Sequence, residues 1–264
     1  MYNSICSVIL SYYPDVQRVT QLIHGAQSMP VIVVDNTPIN DSRYHIPKKH
    51  VNKHVTFIQT AKNFGFAGGM NIGIKNALHN NPKWLILLNQ DIQISTFDID
   101  IFTNILKRSK PGIYGPFQGG LDPNRWTTIL PSDASVYISG ACMAIHRDVI
   151  KEIGYFYEPY FMYYEDPDLC IRAKKAGFPL VHIPLDGIEH IDTSSLGKGS
   201  FLHEYYLARN HLLFVERMAP LRVKMYEYLR LPKTIFEYWR SHNIGALTGC
   251  KDYFIRAFGE KRTI

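Results

Sequence analysis

Trp84-Leu85-Ile86-Leu87-Leu88-Asn89-Gln90-Asp91 decides the fold. An unbroken apolar run of this length, led by bulky and branched side chains, reads as a strand buried on both faces. It stops abruptly at an amide-amide-acid triplet. Val31-Ile32-Val33-Val34 does the same and stops at Asp35-Asn36. Working outward, Ile5 to Leu10 and Val55 to Ile58 read as two more strands, and helical patterns run from Asp15 to about Ser28 and from Ala67 to Asn80. Strands alternating with helices predict an α/β fold with a mostly parallel sheet. Ligands in such sheets gather beyond the carboxyl ends of the strands, where Asp35 and Asp91 stand. Past residue 110 come shorter apolar segments, a strand at Leu180–Ile183 and a loop over 187–200 that holds His190. Helices are expected at about 201–218 and 221–239.

The chain has 264 residues, 46% of them apolar, enough for one full core. The four cysteines lie far apart in sequence and suggest neither a disulfide framework nor a zinc site, which fits a reducing compartment. The first ten residues lack a basic stretch and a cleavage site, so a signal peptide is not expected. No apolar run approaches the ~20 residues of a membrane span. The net charge of +6 is uneven: residues 216–264 hold 10 Lys and Arg against 5 Asp and Glu, a net of +5. That stretch has no nucleic-acid-binding motif. Its aromatic residues Tyr226, Tyr228, Phe236, Tyr238 and Trp239 suit helix packing or an anionic membrane surface.

Chemistry concentrates in Tyr163-Tyr164-Glu165-Asp166-Pro167-Asp168-Leu169-Cys170-Ile171-Arg172. Crowded carboxylates raise one another's pKa, and a carboxylate so poised serves as a general base. The competing reading makes Asp166 a helix cap. Asp168 and Arg172, four apart, can pair on one helix face. Asp35 can accept a hydrogen bond from a nucleobase imide or a ribose hydroxyl. Asn63-Phe64-Gly65-Phe66-Ala67-Gly68-Gly69-Met70-Asn71 opens a helix with glycines that admit close approach of a ligand; it is neither a dinucleotide fingerprint nor a P-loop. Asp91, with Asn89 beside it, suits a hard divalent cation that also binds diphosphate oxygens. Lys198 lies in a basic, hydroxyl-rich loop able to neutralise a departing diphosphate. Arg209, in Tyr205-Tyr206-Leu207-Ala208-Arg209-Asn210, has the planar fork that grips phosphate.

Taken in order, these segments resemble the family 2 glycosyltransferases of GT-A fold, most closely their rhamnosyltransferase-like branch, over about residues 4–215. The resemblance implies an inverting sugar transferase with a catalytic domain at 1–215 and a basic helical extension at 216–264. Asp166 would be the catalytic base with Glu165 as neighbour. Asp35, Asn63, Gly68, Gly69, Asn71, Asn89, Lys198 and Arg209 would line the nucleotide-sugar site. Asp91 and His190 would hold Mg²⁺ or Mn²⁺. Asn89 stands where the family's metal motif has an aspartate, so one carboxylate remains and the diphosphate must share in holding the ion. The implied donor is dTDP-L-rhamnose, with a UDP-sugar as the alternative. The implied acceptor is a lipid-linked surface glycan at the cytoplasmic face of a membrane. A non-catalytic nucleotide-sugar-binding subunit and a homo-oligomer stay open.

Overall fold

The computed structural model describes residues 4–39, 54–129, 136–191, 197 and 199–261. Its frame is a seven-stranded sheet. In chain order the first elements are β1 (Ile5–Ser11), α1 (Val16–Gly25), β2 (Val31–Asp35), β3 (Val55–Gln59), α2 (Gly65–Leu78) and β4 (Trp84–Asn89). Then come β5 (Ile92–Ile94), α3 (Thr96–Arg108), β6 (Ile113–Gly115), β7 (Gln118–Leu121), β8 (Thr128–Ile129), β9 (Tyr137–Ile138) and β10 (Cys142–His146). The last are α4 (Arg147–Ile153), α5 (Glu165–Lys175), β11 (Leu180–His182), β12 (Ile188–His190), α6 (Phe201–Met218), α7 (Leu221–Arg240) and α8 (Ile244–Phe254). The sheet order is β11-β6-β10-β4-β1-β2-β3. Only β10 runs against the rest, so the expectation of a mostly parallel α/β sheet holds.

The strands are apolar throughout because both sheet faces are covered. Ile9, Val33, Ile86 and Leu88 point to the face under α1 and α3. Val8, Val34, Leu85 and Leu87 point to the other, under α2, α4 and α5. The second face is unusually close-packed. A Cβ on Gly73 would come within 2.2 Å of Val8 Cγ1, and one on Gly69 within 2.5 Å of Leu10 Cδ1. The glycines of α2 thus let that helix lie down on the sheet.

Register fixes where the polar residues emerge. Ser11 stands opposite Asp35, and Leu10 opposite Asn89. The ends of β2, β1 and β4 therefore open on one edge, and β10 begins there too, with Cys142 opposite Leu88.

Several elements differ from the sequence reading. α3 and α8 carry helical stretches that were not expected, and His190 lies on strand β12 rather than in a loop. Residue 215 falls inside α6, so no break in regular structure marks the expected domain boundary. α8 packs along α6, with Gly249 so close to Tyr205 O that a Cβ would meet it at 2.4 Å. No helix among the described residues is long and apolar enough to cross a membrane.

Candidate active site

The edge formed by β2, β1 and β4 is a network of buried polar groups. Asp35 is 3% exposed. Its Oδ1 accepts from the Thr37 backbone N–H at 2.9 Å, while its carbonyl accepts from the Thr60 hydroxyl at 3.0 Å. Asn36 donates to the Gly65 carbonyl at 2.8 Å and ties the edge to the start of α2. Gln90 clasps Tyr12 from both sides, accepting from its N–H at 2.9 Å and donating to its carbonyl at 3.0 Å. Asn63 accepts from the Gly65 N–H at 2.8 Å and hydrogen-bonds the Tyr12 side chain. Ser11 Oγ is buried with no protein partner among the described residues, which leaves it available to a bound molecule at this edge.

Asp91 follows β4 in the tight turn into β5. The β5–β12 ribbon sets His190 opposite Ile92, so that His190 Nε2 lies 3.2 Å from Asp91 Oδ2. Asp91 Oδ1 is buried and has no hydrogen-bond partner among the described residues. A buried carboxylate oxygen left without a donor fits a hard cation. Among the described residues no three acidic, histidine or cysteine side chains gather into a complete cage. One carboxylate completed by diphosphate oxygens and water suits Mg²⁺ or Mn²⁺, which Asp91 could supply, with the His190 imidazole beside it.

The carboxylate cluster faces the same edge through β10. Asn89 N–H donates to the Ala141 carbonyl at 2.9 Å, and the neighbouring Gly140 N–H donates to Asp166 Oδ2 at 3.1 Å. Asp166 is thus anchored to the residue that follows the sheet edge, not used as a cap: the N-cap of α5 is Tyr164, whose side chain makes no capping bond. Burial pushes the Asp166 carboxyl up to about 6, opposed by the Gly140 N–H. Burial, and next the charge of Asp166, hold Glu165 well above the usual carboxylate range. Asp168 differs from both. It is fully buried and receives Arg172 at 2.7 Å, Arg217 at 3.2 Å and the Tyr160 hydroxyl at 3.1 Å. The expected Asp168–Arg172 pair is present, and Asp168 is a structural hub.

The segment leading into these acids is strained. Phe161, Tyr163 and Tyr164 have φ of 68°, 64° and 74°, a region that costs a non-glycine residue of order 1–3 kcal/mol and persists only when surroundings over-determine it. Here α6 does so. The Asn210 amide donates to the carbonyls of Tyr160, Met162 and Tyr163 at 2.8, 2.6 and 3.1 Å. Arg209 spends all five of its N–H groups: on Asn210 Oδ1, the Tyr205 hydroxyl, and the carbonyls of Gly259, Pro159 and Tyr160. From the other side the Phe161 carbonyl accepts from Ala67 N–H at 3.2 Å. It sits where a Cβ on Gly65 (φ +69°) would approach within 2.3 Å, so only glycine fits there.

Four sequence expectations are corrected by this geometry. Arg209 is fully buried with its donors saturated, so it is not a phosphate ligand but the pin of the 159–160 turn. Asn71 is equally buried; its amide exchanges hydrogen bonds with the Phe156 backbone at 2.9 and 3.0 Å and reaches Glu158 at 3.0 Å. It fastens α2 to the segment before α5. Gly69 faces Leu10 and Asn36, and Gly68 faces Phe64; both serve packing rather than an open approach to a sugar. Lys198 lies outside the described residues. Asp35, Asn89 and Asp91 stand at or just past the ends of β2 and β4, Asn63 is tied to Gly65 nearby, His190 lies against Asp91, and Asp166 is bound to Gly140 before β10. Sequence reading gave no role to Ser11, Gln90 or Asn210, although Asn210 had a signal in its place beside Arg209. Gly140 stands in Ser139-Gly140-Ala141, which the family resemblance puts beside the donor sugar and acceptor; its backbone bond to Asp166 could not be read from the sequence.

Residues 7–129 match the glycosyl transferase family 2 profile. Curated relatives agree. Over 199 residues it is 27% identical to the low-salt glycan biosynthesis hexosyltransferase Agl10 of Haloferax volcanii, covering 66% of this chain and 63% of that protein. Over 252 residues it is 26% identical to the N-acetylglucosaminyl-diphospho-decaprenol L-rhamnosyltransferase of Mycobacterium tuberculosis, covering 78% and 80%. It is 25% identical to the dTDP-rhamnosyl transferase RfbF of Shigella flexneri, covering 95% and 97%. A solved structure of S. aureus TarS 1-349 in complex with UDP-GlcNAc superposes with a TM-score of 0.59 at 13% identity, covering 94% of this chain and 80% of that one. That likeness supports the fold.

Proposed function

We propose that this chain transfers L-rhamnose from dTDP-L-rhamnose to a hydroxyl of a lipid-linked surface glycan, with inversion at the anomeric carbon, at the cytoplasmic face of a membrane. The observation that carries the reading is the half-buried Asp166 carboxylate, held by Gly140 at the strand edge that also gathers Asp35, Asn89 and Asp91. Two curated relatives named as rhamnosyltransferases support the choice of sugar.

Asp35 and the buried Ser11 hydroxyl receive the nucleoside. Asn63, steadied by Tyr12, closes over the donor. Asp166 takes the acceptor proton as the acceptor oxygen attacks the anomeric carbon, and the nucleoside diphosphate leaves from the opposite face. Burial, and next the charge of Asp166, raise the Glu165 carboxyl, which favours its neutral form beside the base. Asp91 and His190 would hold a divalent cation, which when bound would supply charge stabilisation for the departing diphosphate. The chain's own contribution is placement: a strained turn, fixed from α2 and α6, aims the base before substrate arrives.

Saturation-transfer NMR with dTDP-rhamnose, UDP-galactose and UDP-N-acetylglucosamine tests the donor. dTDP-rhamnose should bind best and should be hydrolysed slowly in the absence of acceptor. Preference for a UDP-sugar overturns the rhamnose assignment. Binding without hydrolysis or transfer makes the chain a nucleotide-sugar-binding subunit.

A further inference from the structure

The apolar residues of α7 fall on two opposite faces. Val223, Glu227, Leu231 and Thr234 turn inward and are buried, with Glu227 paired to Arg125 at 2.8 Å. Leu221, Met225, Leu229, Phe236 and Trp239 turn outward. Leu229 is 78% exposed and Trp239 64%. At 3.6 residues per turn the outward five occupy an arc of only about 80°, roughly opposite the buried face. A helix that already buries one face has no structural need of a second apolar stripe. Arg222, Lys233 and Arg240 fall together along one border of the stripe, within an arc of roughly 20°. The exposed acid near them is Glu237, which pairs with Arg230 at 3.3 Å and more loosely with Lys233 at 3.9 Å.

We infer that this outward face of α7 seats on an anionic phospholipid surface, with Leu229, Phe236 and Trp239 in the headgroup–acyl boundary and Arg222, Lys233 and Arg240 on lipid phosphates. The charge pattern selects this occupant. An isologous contact with a second copy would set two such basic borders within one interface, whereas an anionic bilayer meets them with the opposite sign. The proposal rests on the lipid-linked acceptor for its purpose and on α7 for its chemistry. α7 also stands near the carboxylates. Val223 packs on Trp126, Trp126 lies 5.6 Å from the Phe214 ring, and Phe214 lies 5.2 Å from Tyr164, the residue before Glu165.

Co-sedimentation of the full chain with phosphatidylglycerol–phosphatidylcholine vesicles and with pure phosphatidylcholine vesicles tests this, with Trp fluorescence as a second readout. Binding should favour the anionic vesicles, fall as salt rises and shift Trp239 emission to the blue. Lys233→Gln should weaken it about fivefold and Leu229→Gln roughly tenfold, while circular dichroism and donor hydrolysis stay as in the parent. Failure of the parent to bind anionic vesicles at low salt overturns the inference. So does equal binding by the parent and by a Leu229→Gln/Phe236→Gln/Trp239→Gln triple variant, or a change from dimer to monomer in that variant with vesicle binding intact. Vesicle binding is read without donor or acceptor, so its outcome is independent of the transfer assignment.

Discussion

Asp166 must be ionised to accept a proton, and its carboxyl is raised to about 6 by burial. Transfer should therefore be flat above pH 7 and fall about tenfold per pH unit below 6; a kcat/KM profile whose acid limb sits near pH 4 would show that another group is the base. Asp166→Asn should lose ~10²–10⁴-fold in turnover while binding donor nearly as well. The same variant should be more heat-resistant at neutral pH. A carboxylate whose pKa is raised from 3.8 on folding has its full stability only below the unfolded value and loses it as pH rises through 6. The parent and the variant should converge in Tm toward pH 4. Which acid of the 165–168 cluster is the base could not be read from spacing, since the three are equally crowded along the chain. Their difference lies in what surrounds them: a backbone N–H for Asp166, two guanidinium groups for Asp168, and for Glu165 an oxygen, Oε2, with no partner.

At the scale of elements, α6 acts on the reaction without touching the base. Asn210→Ala removes the donor shared by three carbonyls of the strained turn. It should lower kcat by at least tenfold, as misplacement of a catalytic group does, with donor affinity little changed. Equal losses in kcat and donor affinity would mean that the helix supports the whole edge and not the aim of Asp166. On the proposed reading, the β5–β12 ribbon would do the matching service for a cation. In calorimetric titrations of Mn²⁺ into protein with dTDP present, Asp91→Ala and His190→Ala should each weaken binding by about tenfold or more; an unchanged affinity in both would remove the ion from this site. The helix and strand sequence of the first 90 residues was legible because each run is either apolar throughout or amphipathic over its whole length. The three-residue strands β5 and β12 were not, since their pairing is decided by residues 94 positions apart, Ile94 with Ile188. Arg209 was misread for a related reason: a planar cation beside tyrosines looks the same in sequence whether its fork meets a phosphate or five groups of its own chain.

Across the whole molecule, the segment after α8 closes back on the catalytic half. Gly259 N–H donates to the Pro159 carbonyl at 3.0 Å, and its own carbonyl receives Arg209 at 2.8 Å. Lys261 adds a backbone bond to the Tyr206 hydroxyl at 2.8 Å and an ion pair with Asp252 at 2.8 Å. A chain cut after Phe258 should keep the far-ultraviolet circular dichroism of the sheet and helices, bind donor, and transfer at least tenfold more slowly; full activity would show that Arg209 holds the turn unaided. The same closure sets a timetable for biosynthesis. Residues 4–39 and 54–129 supply most of the central sheet, and a ribosome makes them first. The turn before Asp166 is pinned through Arg209 by a carbonyl from residue 259, translated long after that sheet. The nascent chain can therefore pair its first strands well before residue 259 emerges, while the turn before Asp166 waits for that carbonyl; on the proposed reading, a partly made polypeptide would hold its base unaligned until then.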